Sequence, residues 1–445
     1  MSYEADSGPG ASEGPAAGHA PAAQEHSPPL GAGALADELG HWLRECRRDL
    51  HAEPELSWQE VRTSGKLAGW LREAGLQPQP FPDTTGLYVD IGSGPLVAGF
   101  RGDIDALPVT ELTGLPYASV HEGAAHSCGH DIHATVMLGL AVGLHRRQQA
   151  AAALGHGPQG RIRVIFQPAE ETMPGGAPEV IRQGLLESLP RIFALHCDPR
   201  LELGHVGTRI GAITSAADVV RVEVAGHGGH TSRPHLTEDV VTALAQLATA
   251  VPAVLSRRID VRSVVSLVWG HIQAGSAHNA IPSVGRLTGT MRVLDADAWR
   301  TAGDMVTQVI EQVAAPFGVD VWVEHVRGVP PVINAERETM LIEAASREAL
   351  GEDSVVLAEQ SMGGEDFAWM TNEIPGAMFR LGTKTPGGED FDLHRGDYAP
   401  DERAIEAGTA VMLSIALRVL AEHQVAGSGA AGSAPSHGTD ATSAV

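Results

Sequence analysis

Apolar residues recur at helical spacing over residues 41–50 and again over 61–74, where Gly75 follows the last turn and Pro78 lies just beyond. Four short apolar runs of strand length come next, at 87–91, 96–100, 162–166 and 192–195. Helical stretches at 133–149 and 179–187 separate several of them. That spacing predicts crossover units in a largely parallel or mixed sheet.

The texture changes near Ile213. Residues 219–224 alternate like a strand, 239–255 form a long Ala/Leu/Val helical stretch, and 263–269 and 285–293 read as strands. A helix over 299–315 and a strand over 319–325 complete a strand-helix-strand-strand-helix-strand order, which fits a ferredoxin-like α+β module. After Gly328 the first texture resumes, through a strand at 378–381 and a closing helix at 402–422. The fold expected is therefore α/β, a host domain over 30–212 and 329–424 interrupted by a module over 213–328. The flanks, 1–29 and 425–445, are low-complexity and polar and are expected to be disordered tails.

Polar ligand-type residues collect where the apolar runs end. LVAGF leads into Arg101-Gly-Asp103-Ile-Asp105, RIRVIF into Gln167-Pro-Ala-Glu170-Glu171, and RIFAL into His196-Cys197-Asp198. A fourth segment, Cys128-Gly-His130-Asp131-Ile-His133, opens a helix, and His394 follows the strand at 378–381 by a Gly-rich loop. Sites in α/β sheets lie at the carboxyl ends of strands, so these segments are expected to converge. Cys, His, Glu and Asp together are a ligand set for a borderline or soft divalent ion. Singly, Asp-x-Asp also reads as a turn or cap, Glu170-Glu171 as a solvated pair and His196 as a core histidine. Three ligand types within six residues at 128–133 are harder to explain as a turn. Gly155-His-Gly157-Pro-Gln-Gly160 precedes a strand, so it fails the context of a dinucleotide loop. His121-Glu122-Gly-Ala-Ala-His126 has the wrong spacing for a zincin helix, and no Gly-x-Ser-x-Gly elbow follows a strand.

Composition narrows the partners. Across 445 residues, 31 Lys and Arg oppose 55 Asp and Glu, a net charge of −24, which argues against nucleic acid or an anionic membrane surface. Three cysteines (Cys46, Cys128, Cys197) are too few for a disulfide framework and suit a reducing compartment. No uninterrupted apolar run reaches about 18 residues, and residues 1–29 lack the apolar core of a secretory signal. Lysine occurs only at Lys66 and Lys384, which leaves few Schiff-base candidates. A cytoplasmic protein is expected.

Ten segments in this order resemble the metal-dependent aminoacylase/carboxypeptidase superfamily, in the amidohydrolase branch of hippurate hydrolase, N-acyl-amino-acid hydrolases and plant auxin-conjugate hydrolases. The resemblance covers about residues 35–422. It rests on Arg48-Asp-Leu-His51-Ala-Glu-Pro54-Glu55-Leu56, Arg101-Gly-Asp103-Ile-Asp105-Ala-Leu-Pro108, Cys128-Gly-His130-Asp131-Ile-His133 and Gln167-Pro-Ala-Glu170-Glu171. It continues through Ala194-Leu-His196, Gly228-Gly-His230, His278-Asn279-Ala-Ile-Pro282, Gly289-Thr-Met-Arg292, Gly364-Glu365-Asp366-Phe367 and Leu393-His394.

The resemblance implies a zinc-peptidase-like catalytic domain with a central mixed sheet, and an inserted ferredoxin-like lid and dimerisation domain. It implies two divalent metal ions per subunit (Mn, Zn, Co or Ni) held by Cys128, His130, Glu171, His196 and His394, with Glu170 as general base. His230 would serve the neighbouring subunit's site in a homodimer, and Asn279 and Arg292 would meet the substrate carboxylate. Asp103 and Asp105 would stand behind the ligands and orient them. The expected reaction is hydrolysis of N-acyl amino acids to a carboxylate and an amino acid. Rival readings are a metal-dependent dipeptidase or carboxypeptidase, a cysteine hydrolase with Cys128 as nucleophile, and a catalytically silent ligand-binding relative. The chain departs from the family pattern at Thr231-Ser-Arg233-Pro-His235, His227, Ala280 and Thr172-Met-Pro174, departures that bear on the substrate pockets more than on the chemistry.

Overall fold

The computed structural model describes residues 31–157 and 160–431, with side chains to residue 425. The expected tail at 1–29 lies outside the described residues, as does everything beyond 431.

Eight strands form one mixed sheet. At its centre Leu96–Asp103 runs parallel to Gly160–Gln167 on one side and to Ile192–Glu202 on the other. Gly376–Lys384 continues the parallel run beside Ile192–Glu202, and Leu87–Ser93 adds an antiparallel strand at the other flank. The central strands are buried almost throughout because helices or loops cover both faces, so they read as continuous apolar runs instead of alternating ones. These strands are longer than the apolar runs: Arg101, Asp103, Gln167 and His196 are strand residues, not loop residues.

Helices Ala32–Ala52, His130–Ala153 and Ala404–Ala431 pack together over one face of the sheet. His130–Ala153 is buried on every side through Leu144, which is why it shows no amphipathic stripe. Its Gly139 permits that close packing: a Cβ there would lie 2.7 Å from Thr409 Oγ1 and 2.9 Å from Leu43 Cδ1. The closing helix continues to Ala431, past the expected start of the C-terminal tail at Val425. The helix expected over 179–187 is shorter, Ala177–Arg182, and Gly184 turns the chain at φ +70.

The second sheet interrupts the first in the sequence. Its strands Ala216–Ala225, Val265–Ala274, Val284–Val293 and Asp320–Val329 lie in the spatial order second, third, first, fourth, all antiparallel, as in a ferredoxin-like unit. Helices Val240–Arg258 and Ala296–Ala314 cover one face. Asp239 and Asp295 cap them by accepting from Thr242 N and Ala298 N. Buried Asp218 fastens the last strand by accepting from Trp299 Nε1, His325 Nε2 and Gly328 N. Val240–Arg258 and Ala404–Val425 are long and apolar enough to cross a membrane; here each packs against a sheet or its neighbouring helices.

Candidate metal centre

The carboxyl ends of the central strands and the start of helix His130–Ala153 meet at one place. Gly129 takes φ +89, so the chain turns sharply between Cys128 and His130, and a Cβ at that turn would lie 2.9 Å from Cys197 Sγ. The turn is anchored from behind by Asp131, which accepts from Arg47 Nε at 2.6 Å and His51 Nδ1 at 2.8 Å, all three buried. His51 in turn meets Glu111 at 3.1 Å.

Each imidazole has a defined role in the local hydrogen bonding. His133 accepts from Cys197 N and donates through Nδ1 to Asp103, so both its nitrogens are used within the protein. His130 donates through Nδ1 to Asp105, at 3.0 Å to its carbonyl and 3.1 Å to its carboxylate, and its buried Nε2 has no hydrogen-bond partner among the described residues. His196 donates through Nδ1 to Cys197 O at 2.8 Å, which leaves Nε2 as a lone pair facing Cys128 Sγ at 3.5 Å. Burial holds His196 well below the usual imidazole range, helped by nearby Arg380 and His133, so the ring is neutral.

The carboxylates complete the centre. Asp105 also accepts from Glu171 N and Ser57 Oγ, so one side chain positions both His130 and Glu171. Among the described residues Glu171 Oε1 is buried with no full hydrogen bond; its nearest polar neighbours are His394 Nε2 at 3.4 Å and His130 Nε2 at 3.7 Å. His394 stands in the left-handed region at φ +62, fastened by its N–H to Ser127 O, and its side chain is 54% exposed. Burial raises the Glu170 carboxyl well above the usual range, reinforced by Glu365, Glu171 and Asp366. Burial likewise raises the Cys128 thiol.

Among the described residues five groups of three donors have their ligand atoms within 4.8 Å of one another, and two of them contain Cys128: Cys128, His130 and His196, and Cys128, Glu171 and His394. They share the thiol. The orphaned Nε2 of His130 and Oε1 of Glu171, both aimed into this cluster, fit cations that are soft enough for sulfur and imidazole.

Sequence reasoning left four residues without a role. Arg101 pairs with Asp103 at 2.5 Å, Asp366 at 2.6 Å and Glu365 at 3.1 Å, entirely buried. Asp366 also accepts from Gln167 and Ala177 N, and burial pushes it up to about 7. Glu365 and Asp366 lay in a recognised segment, but only the fold shows that they close the floor beside Glu170. Arg380, in an ordinary strand pattern, gave no signal at all.

A cavity of about 390 Å³ opens over the cluster, lined by Cys128, Glu170, Glu171, His196, His394 and, from the interrupting module, Arg292. Arg292 donates to Met362 O. The structure does not bring His230 and Asn279 there. His230 pairs with Ala280 in a two-stranded ribbon, accepts from Ser232 and is exposed, and Asn279 next to it is exposed as well; neither lines the cavity within the same chain.

Residues 99–418 match the model of peptidase family M20/M25/M40. The chain belongs to that family. N-acetyl-L-cysteine deacetylase of Bacillus subtilis is 36% identical over 84% of this chain and 87% of its own. A Rhodococcus jostii protein named for a glutamate–cysteine ligase activity is 44% identical over 84% of this chain, but the match spans only 46% of that longer protein. The crystal structure of the Bacillus subtilis YxeP protein, described as a dinuclear metal-binding M20 peptidase, aligns with a TM-score of 0.73 at 31% identity, covering 87% of this chain and 99% of that one. The M20 fold, with its large mixed sheet, is thus shared along nearly all the described residues.

Proposed function

We propose that this M20 protein is a metal-dependent amidohydrolase that cleaves the amide bond of N-acyl amino acids to a carboxylate and a free amino acid. The observation that carries the reading is the pair of donor sets sharing Cys128, with a largely buried carboxyl, Glu170, beside them. The deacetylase activity named for its Bacillus subtilis relative supports the substrate class.

Cys128, His130 and His196 would hold one ion, and Cys128, Glu171 and His394 the other. When bound, such ions supply Lewis acidity, which acidifies water and polarises the amide carbonyl. The remaining work falls to the chain. Glu170, poorly solvated among other carboxyls, is suited to take a proton from the attacking water and deliver it to the leaving nitrogen. Arg292 offers a fork matched to the substrate carboxylate. Asp103 and Asp105 orient the groups that face the reaction.

The homodimer and the cytoplasmic location belong to the same proposal. Trp322, Val268 and Ile272 expose large apolar side chains on strands of the module, which suits a subunit contact. All three cysteines are free and buried, which suits a reducing compartment.

The test is amine release from N-acetyl, N-benzoyl and N-indoleacetyl amino acids, with a dipeptide as the competing class, after loading with Mn²⁺, Co²⁺, Zn²⁺ or Ni²⁺. Turnover of the dipeptide alone would replace this reading with a dipeptidase. Turnover surviving exhaustive chelation, yet stopped by a thiol alkylator, would make Cys128 a nucleophile.

A further inference from the structure

Arg101 and Arg380 both lie buried beside the metal centre, and of these two only Arg101 is paired. Arg101 spends its guanidinium on three carboxylates. Arg380 is 8% exposed, yet among the described residues its guanidinium makes no hydrogen bond and has no carboxylate within ion-pair distance. It stands on strand Gly376–Lys384 directly across from His196 on one side and Gly207 on the other. A Cβ on Gly207 would come within 3.2 Å of Arg380 Cβ, so the glycine keeps room beside the arginine stem.

Arg380 also lines two cavities. One is the cavity over the metal centre; the second, of about 480 Å³, continues beyond it past Ser361 and Leu393, which border both. Asp198, Glu359 and Asp392 line the second cavity too, and none closes on the guanidinium. A buried guanidinium with unused donors is costly unless an anion completes it, and its fork matches a carboxylate.

We propose that Arg380 recognises a second carboxylate on the substrate, reaching from the metal-centre cavity toward the adjoining one, and so makes the enzyme prefer dianionic N-acyl amino acids. The inference rests on the amidohydrolase reading. The same chemistry has two sources, a dicarboxylic acyl group or an acidic amino-acid side chain.

The experiment compares kcat/KM for N-succinyl-alanine and N-acetyl-aspartate, each against N-acetyl-alanine, in the metal-loaded enzyme. At least one ratio should exceed about 10, since a hydrogen-bonded charge is worth roughly that factor or more. Preference for N-succinyl-alanine assigns the acyl end, and preference for N-acetyl-aspartate the side chain. Arg380→Gln and Arg380→Met should lower the favoured ratio at least about 10-fold, with Arg380→Lys between them and the wild type. Circular dichroism and metal content check that the variants fold. Wild-type ratios near or below one in both arms overturn the proposal without any variant, as does a ratio that survives both neutral substitutions. If no N-acyl amino acid is turned over, the amidohydrolase reading fails instead. Calorimetry then decides Arg380's role: succinate or L-aspartate must bind about 10-fold tighter than acetate or L-alanine, and lose that margin in Arg380→Gln.

Discussion

His196 Nε2 faces Cys128 Sγ across 3.5 Å, while its Nδ1–H is committed to the Cys197 carbonyl. The tautomer is therefore fixed by the backbone, and the free lone pair points at the sulfur. A neutral imidazole beside a thiol could serve a cysteine nucleophile, but nucleophilic thiols have depressed pKa values, and burial raises this one. As ligands, both groups make sense at once.

Metal dependence follows. Exhaustive chelation should abolish turnover, and Co²⁺ should restore it with a thiolate-to-metal charge-transfer absorption. Cys128→Ser should lose that absorption. Full turnover in protein shown metal-free by elemental analysis would falsify the ligand assignment.

Glu170 and Glu171 are adjacent but face different surroundings. Both approach His130 Nε2, Glu170 Oε2 at 3.9 Å and Glu171 Oε1 at 3.7 Å, but Glu170 otherwise lies among Glu365 and Asp366, whereas Glu171 Oε1 also meets His394 at 3.4 Å. Glu170→Gln should lower kcat by at least ~100-fold with metal content retained. Glu171→Gln should instead lower metal occupancy, read by elemental analysis. If the two variants exchange these behaviours, the base and ligand assignments are reversed.

Much of this centre was legible in the sequence because each chemical segment follows an apolar strand, and a sheet delivers its strand ends to one edge. The interrupting module was legible from the change of period near Ile213. What stayed hidden depends on pairing across the chain. Arg380 sits in Met378-Phe-Arg-Leu381, where nothing local distinguishes it from an outward-facing strand residue; only its register with His196 turns it toward the centre. Arg101 was read as part of a motif with Asp103, but its other two acidic partners, Glu365 and Asp366, come from one distant segment. Helix His130–Ala153 was legible as a helical stretch over 133–149 but offered no apolar stripe to say which face is covered, because it is buried on every side through Leu144. His230 and Asn279 show the opposite limit. Their segments resemble a family pattern, yet one folded chain does not bring them to the cavity.

Arg101 should be a point of fragility. Arg101→Met leaves Asp103, Glu365 and Asp366 buried without their cation, and removal of one partner from such a cluster costs about 3–5 kcal/mol. Chemical denaturation should show that loss, and restoring only volume should not rescue it. A loss below about 1 kcal/mol would mean that the acids had taken up protons and carried the cluster themselves.

Glu60 couples stability to pH. Burial pushes its carboxyl from 4.5 up to about 7, although it accepts from Thr85 Oγ1 at 2.6 Å and Ala169 N at 2.8 Å. A carboxyl raised on folding binds more protons in the native state, so its contribution to stability declines as pH rises from about 4.5 to about 7. Glu60→Gln removes that decline. The melting temperature of the variant minus that of the wild type should therefore increase from pH 5 to pH 8. Parallel melting profiles across that range would show that Glu60 titrates normally.

His230 is exposed on a ribbon outside its own chain's cavity. A solvated turn histidine would tolerate alanine. If a homodimer instead delivers His230 to the partner's centre, a His230→Ala subunit keeps a sound metal site but cannot complete its neighbour's, and a Glu170→Gln subunit has the reverse defect. Mixing the two inactive variants with subunit exchange should then create heterodimers with one complete site each. At random pairing about half the dimers are mixed, and each has one working site of two, so activity should return to roughly a quarter of wild type. Activity that stays at background, with heterodimers demonstrated by tagged pull-down, would mean that His230 does not act across the interface. Wild-type activity in His230→Ala alone would remove it from the mechanism altogether.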